Sequence, residues 1–366
     1  MKTLYTKTAL LWILGFIFAS PLPVWSAPEK ITKKVEKLYP ISSDGRLEID
    51  NQYGNINLVP WDRNEVSIEV SITVEGRNAK DIEKRLEKID LAFESEPDRI
   101  RVETLIGEFK SSWFSISINF NPKERLKFRV DYLVKAPPSL HLDLKNKFGN
   151  IALEHTYAPA KIHCEFGQIQ LGELHGSGHD IRIEFSKNSS IDFMESGKIR
   201  AEYSSLDINR AHDLDWGSDF SKLELEKVDE LIYTADYGRL AVGKVDRIQG
   251  SSDFANIRIG NLNQTGDLSA DFGSIHIRKL AAPMQNCRLE TEFTRIRLGI
   301  APESSFSFRI DLEHASLDTD LNLDYQKKIQ DHSERFFSGT FGASPLGKLT
   351  IEAEHGNVKL IPSTQF

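Results

Sequence analysis

From residue 148 onward the chain repeats one short pattern: an aromatic residue, a small one, then two aliphatics separated by a polar position. Phe148-Gly-Asn-Ile-Ala-Leu153, Phe166-Gly-Gln-Ile-Gln-Leu171, Tyr203-Ser-Ser-Leu-Asp-Ile208 and Phe220-Ser-Lys-Leu-Glu-Leu225 open the series. Tyr237-Gly-Arg-Leu-Ala-Val242, Phe254-Ala-Asn-Ile-Arg-Ile259, Phe272-Gly-Ser-Ile-His-Ile277 and Phe293-Thr-Arg-Ile-Arg-Leu298 continue it, and degenerate copies begin at His314 and His355. Phe185 belongs to the series with three extra residues at its corner. Alternating apolar positions are the signature of strands. By that alternation the aromatic should face inward with the aliphatics, and the small residue after it should form a tight corner. One copy cannot bury its own apolar face, whereas copies stacked about 4.8 Å apart bury all of them as ladders. The pattern therefore predicts an all-β chain folded as a single-stranded β-helix, a β-solenoid of about ten turns and on the order of 50 Å. Hairpin turns of the Asn-Gly type are missing and the copies run head to tail, which argues against a meander or sandwich.

Before the repeat, Arg46 to Leu58 contains one earlier copy around Tyr53. Val66, Ile68, Val70, Ile72 and Val74 then alternate as a strand, while Ala79, Ile82, Leu86 and Ile89 fall at helical spacing. Strands are expected near Arg99 to Glu103, Phe114 to Phe120 and Leu126 to Val134, the last two joined by the loop Asn121 to Arg125. Residues 27–144 are read as an N-terminal β-rich cap with one helix that covers the open end of the sheet, and residues 145–362 as the solenoid. Asn322 to Ser344 is polar and unpatterned, the expectation for a loop before a last turn from Leu349 to Leu360.

Residues 1–26 have the order of a secretory signal peptide: Lys2 and Lys7, the apolar run Ala9 to Ala19, Pro21 and Pro23, then Val24-Trp25-Ser26 before Ala27. The run is too short to span a bilayer, which takes about 20 residues as a helix, so the mature chain is expected to be exported without a transmembrane segment. Removing Lys2 and Lys7 leaves 44 basic side chains against 54 acidic ones, a formal charge of −10 instead of −8. That balance disfavours nucleic acid as a ligand. Cys164 and Cys287 occupy inward positions some seven turns apart, roughly 30 Å, too far for a disulfide, so both should be free and buried.

The stretches Gly45-Arg-Leu-Glu-Ile-Asp-Asn-Gln-Tyr-Gly-Asn-Ile-Asn-Leu58 with Trp61-Asp62, and Val134-Lys-Ala-Pro-Pro-Ser-Leu-His-Leu-Asp-Leu-Lys-Asn-Lys-Phe-Gly-Asn-Ile151, resemble the bacterial putative-adhesin domain family. The resemblance runs from about residue 40 to 361. It implies a right-handed β-helix and a place in the cell envelope, and it supplies no catalytic residues.

Enzymes built on β-helices gather carboxylates on one outward face. Aligned by the repeat, the residues between the two aliphatics include Asp192, Asp207 and Glu224 in succession, about 5 Å apart. Such a trio suits Ca²⁺, or the acid and base of a glycosidase. Set against that chemistry is a solvated acidic patch on an acidic protein. A longer acidic row precedes the aromatics: Glu165, Glu184, Glu202, Asp219, Asp236, Asp253, Asp271, Glu292, Glu313 and Glu354. His175-Gly-Ser-Gly-His-Asp180 reads as a polar turn, because no strand-to-helix elbow surrounds it. Trp113, Phe114, Ile116, Ile118 and Phe120 read as the packed face of a strand.

The expectation is a non-enzymatic, adhesin-like protein of the periplasm, envelope or cell surface, with no cofactor, whose solenoid side binds an envelope protein, a glycan or the cell wall. The alternatives are a carbohydrate-active β-helix enzyme working through Asp192, Asp207 and Glu224, and a structural or stress-related envelope component.

Overall fold

In each coil from Glu165 onward one strand ends at the acidic residue before the aromatic, turns a corner there, and resumes as a second strand three to five residues later. The computed structural model describes residues 29–107 and 126–366 in this arrangement. The expected signal peptide, the expected strand Phe114 to Phe120 with its apolar stripe, and the expected loop Asn121 to Arg125 lie outside the described residues. Through the middle of the chain the strands run from ring to ring: Ser189–Glu202, Ser205–Asp219, Lys222–Asp236, Arg239–Asp253 and Asn256–Asp271. Each pairs in parallel with the next, placing Leu206, Leu223, Leu240, Ile257, Ile275 and Ile296 side by side, with Ile208, Leu225, Val242, Ile259, Ile277 and Leu298 as a second column. All twelve are buried, and each such side chain contributes about 1.5–3 kcal/mol. The chain is an all-β solenoid, as its periodicity predicts.

The aromatics do not face inward. Phe148, Phe166, Phe185, Tyr203, Phe220, Tyr237, Phe254, Phe272 and Phe293 are 40–48% exposed. The reason lies in the backbone: every ring residue sits in the left-handed region, with φ of 46–61° from Tyr53 through His355. Alternation carried straight through the corner puts the ring inside. A left-handed residue rotates the chain instead, so the acid and the ring that follows it both face solvent, and the small residue after them turns in.

The copy at Phe185 also departs from its expected alignment. Asn188, at φ 57°, absorbs one extra residue, and Ser189 fills the first inward position, where its Oγ accepts the Ile169 amide at 3.2 Å. Ile191, not Phe193, is the partner of Ile208.

Cys164 and Cys287 are free and buried. Burial pushes their thiols up to about 11 and about 12. Iodoacetamide at mildly alkaline pH should therefore label neither thiol in the folded protein and both in denaturant; labelling of either in the folded state would contradict the interior placement.

Chain order and spatial order differ at both ends. Arg46–Gln52 lies between His141–Lys147 and Arg99–Ile106, and Ile56–Pro60 lies between Ile151–Thr156 and Lys127–Ala136, so the Tyr53 copy stacks directly on the Phe148 copy. Antiparallel strands Ile89–Glu96, Glu65–Gly76 and Glu29–Pro40 continue the sheet beyond them. The helix is Ala79–Leu86, capped by Asn78, whose Oδ1 accepts the Lys80 amide at 3.0 Å; Ile82 is its buried residue, and Ile89 already opens a strand. At the other end Gly347–Glu354 inserts between Asn286–Glu292 and Phe306–Glu313, so the last coil in sequence is not the last in space. The segment expected as a loop forms a hairpin, Asp324–Gln330 with Glu334–Phe341, and its second strand covers the edge of Phe306–Glu313. Asp324–Gln330 is exposed along its whole length, so nothing selects an alternating pattern there.

Inside the first coils a polar network replaces hydrocarbon. Asn51 Nδ2 donates to Asn146 Oδ1 at 3.2 Å, Thr104 Oγ1 donates to Asn51 Oδ1 at 2.9 Å, and the Tyr132 hydroxyl lies 2.7 Å from Thr104 Oγ1. Tyr233, equally buried, has only the Ser252 hydroxyl as a polar neighbour and makes no hydrogen bond of good geometry among the described residues. Tyr132→Phe should then cost about 1–2 kcal/mol, whereas Tyr233→Phe should be neutral or gain up to about 1 kcal/mol. Equal losses in urea unfolding would contradict this difference.

Candidate binding faces

The exposed rings form one column. Tyr53, Phe148, Phe166, Phe185, Tyr203, Phe220, Tyr237, Phe254, Phe272, Phe293, His355 and His314 stack in that order, with centroids 4.6–5.1 Å apart and planes within 2–21°. Eleven steps of about 4.9 Å make a ladder roughly 54 Å long. The left-handed backbone costs about 1–2 kcal/mol at each corner. Two contributions offset it: stacking, worth about 0.5–1.5 kcal/mol per contact, and the ring residue's amide, which donates to the carbonyl of the next coil. Phe220 N to Asp236 O, at 3.0 Å, is typical. Ring faces are occupied by neighbouring rings, so the ladder offers solvent an edge-on apolar ridge and not stacking platforms. Nine half-exposed rings present on the order of 800 Å² of apolar surface, more than the 300–600 Å² of an ordinary largest patch.

Beside the ridge, Glu165, Glu184, Glu202, Asp219, Asp236, Asp253, Asp271, Glu292, Glu354 and Glu313 stand in continuous register. The N-terminal end is neutralised: Lys147 pairs with Glu165 at 2.9 Å, and Arg182 reaches Glu184 at 2.6 Å and Glu202 at 3.2 Å. Asp219, Asp236, Asp253 and Asp271 form no ion pair among the described residues.

The trio Asp192, Asp207 and Glu224 is not brought together. Asp207 and Glu224 are neighbours, but the residue beside Asp207 is Ser190. Asp192 stands one row further on, where its Oδ1 accepts from Asn209 Nδ2 at 3.3 Å. The cause is the single-residue bulge at Asn188, where three extra residues were expected. Among the described residues no group of three or more potential ligands is placed to hold a metal ion. In the polar turn, His175 is exposed and pairs with Glu173 at 2.8 Å, while His179 faces the core and its Nδ1 accepts the Ala160 amide at 3.1 Å. Opposed rings of this kind make no nucleophile–base pair.

The row through Asp207 and Glu224 changes sign along the solenoid. Ala241 follows, then Arg258, His276, Arg297 and Lys359. A shallow trough of about 660 Å³ spans the change, with Glu224 and Glu226 at one end, Arg258, His276 and Arg278 at the other, and Ala241, Gly243 and Gly260 as its floor. A second trough of about 560 Å³ shares Arg258 and His276 and reaches Arg295, His355 and the Phe293 ring. Burial first, then the charges of Arg258, Arg297 and Arg295, hold the His276 imidazole below its ordinary pKa. The repeat already contained this cationic run up to Arg297; Lys359 was hidden because its coil is out of sequence order.

No family model and no curated protein matches the chain. Among solved structures it is similar to one from Parabacteroides merdae, described as a putative adhesin, at 12% identity over 73% of this chain and 92% of that one, with a TM-score of 0.33. A second, from Parabacteroides distasonis and described in the same words, is 10% identical over 74% and 93%, with a TM-score of 0.32. A third, described as a putative cell adhesion protein from Clostridium sporogenes, is 10% identical over 92% and 100%, with a TM-score of 0.17. The two from Parabacteroides carry the same description as the family that the sequence motifs resemble. Scores this low add nothing to the architecture, which stands on its own strand pairing. Among the described residues no helix is long and apolar enough to cross a membrane.

Proposed function

We propose that the chain is an exported, non-enzymatic, adhesin-like protein of the bacterial envelope or cell surface, and that the side of its solenoid is the binding surface for a protein or glycan partner. Residues 1–26 are removed on export, residues 27–144 cap the solenoid, and residues 145–362 supply the surface. The observation that carries this reading is the ring ladder, a straight apolar ridge bordered by carboxylates and larger than a soluble surface ordinarily exposes. Binding of this kind uses a long regular surface, whereas catalysis needs a convergent group that the separated Asp192, Asp207 and Glu224 do not form.

Retention of bacterial envelope fragments on the immobilised chain 27–366, beside the double variant Asp236→Lys, Asp253→Lys, tests the reading. Both substitutions lie on the border of the ridge, Asp253 exposed and Asp236 half-buried, and leave the core columns intact. Retention by the wild type, weakened about tenfold or more by charge reversal, is the expected result. Absence of retention, or equal retention by the variant, would overturn it.

A further inference from the structure

We propose that the face following the ring corner carries a site for an acidic glycan, a uronate-bearing oligosaccharide held by Arg258, His276 and Arg295. The inference rests on reading the solenoid side as a binding surface, but it does not use the ring ladder.

The first support is where charge is left uncompensated. In a chain of formal charge −8, several exposed arginines elsewhere on the sheet are matched with carboxylates, Arg99 with Glu48 at 2.7 Å, Arg200 with Asp215 at 3.0 Å, Arg247 with Glu230 at 2.8 Å, and Arg309 with Asp311 at 3.2 Å, while Arg46, Arg210 and Arg278 stand singly without an ion pair among the described residues. Arg258, His276 and Arg297 lie on three adjacent strands at one register position, and Arg295 lies two residues from Arg297, yet no carboxylate pairs with any of them among the described residues. Stacked like charges about 5 Å apart repel, and here, where the unpaired cations are neighbours, no carboxylate relieves that repulsion among the described residues.

The second support is independent of charge. His276 Nε2, on the trough wall, is buried without a hydrogen-bond partner among the described residues; Arg297 Nε is likewise unpartnered, but its guanidinium lies over the Phe366 ring at 4.7 Å, outside the trough. Orphaned polar atoms are costly, and a ligand that brings acceptors relieves them.

The trough between these groups selects the ligand class. Its volume of about 560 Å³ lies within the range of small-molecule sites, roughly 300–1,000 Å³. Asn256, Ser274 and Asn357 line it among the cations. Guanidinium forks match a planar carboxylate bidentately, and side-chain amides and hydroxyls match sugar hydroxyls. A bare anion uses the first set and leaves the second idle; a neutral sugar does the reverse. A sugar that carries a carboxylate engages both.

Calorimetric titration of chain 27–366 with an oligogalacturonate, a neutral oligogalactose of equal length, and inorganic phosphate tests the site. Oligogalacturonate should bind with an affinity that falls as salt rises, and Arg258→Gln with Arg295→Gln should weaken it about 30-fold with no change in melting temperature. The neutral sugar should not bind measurably. The Asp236→Lys, Asp253→Lys chain should keep its affinity for the uronate within about twofold. Envelope retention lost in that variant while uronate binding persists separates the two surfaces. No uronate binding at low salt, equal affinity after the arginine substitutions, equal binding of the neutral sugar, or binding of phosphate alone would each overturn the proposal.

Discussion

Phe220→Ala should unfold at lower denaturant than Phe220→Gly, and both well below the wild type. The ring of Phe220 stacks on Tyr203 and Tyr237 at 4.9 and 4.8 Å. Deleting it forfeits two contacts of about 0.5–1.5 kcal/mol each, and about 100 Å² of buried ring worth roughly 2.5 kcal/mol. A total of about 3.5–5.5 kcal/mol follows. Glycine then recovers about 1–2 kcal/mol, because φ of 49° costs it nothing, and gives back about 0.5–1 kcal/mol in chain entropy. Glycine should therefore be the milder change by roughly 0.5–1 kcal/mol, the reverse of the order these two residues take in a regular strand. Alanine equal to or milder than glycine would mean that the corner is not left-handed in solution.

Two adjacent substitutions should differ far more. Leu240 is fully buried between Leu223 and Ile257, and Leu240→Asp places an unpaired carboxylate in a column of hydrocarbon. Breaking the column this way should cost more than about 5 kcal/mol, enough to open the solenoid at its centre to protease. Ala241, the next residue, faces solvent between Glu224 and Arg258. Ala241→Asp gains an attraction on one side and a repulsion on the other, so its effect should stay within about 0.5 kcal/mol. Limited proteolysis separates the two outcomes directly; similar sensitivity would refute the register.

These positions also mark how far the sequence could be read. The aliphatic columns were legible because period-two burial leaves its trace on every coil, and the free cysteines followed from the same spacing. The ring's direction was not, because alternation cannot register a left-handed residue that turns two neighbours outward together. A signal was nevertheless present: Tyr203, Tyr237, His314 and His355 share the row with phenylalanines, and four polar tips are out of place in a core without partners. Asp192 was misplaced by the same kind of event, since Asn188 shifts the register by an amount that composition does not encode. The C-terminal hairpin was not legible because its outer strand carries no alternating burial. The cationic strip was visible as Arg258, His276 and Arg297, but its isolation from carboxylates emerges only when neighbouring coils are laid side by side.

Hydroxyl-radical footprinting of the folded chain, read by mass spectrometry, tests most directly whether the rings lie on the outside. Tyr203 and Tyr237, 47% and 48% exposed, should be oxidised at rates close to those in the unfolded chain, while Trp216 and Tyr233, each 1% exposed, should be strongly protected. Protection of Tyr203 and Tyr237 to the same degree as Tyr233 would put the ladder inside the tube and remove the ridge.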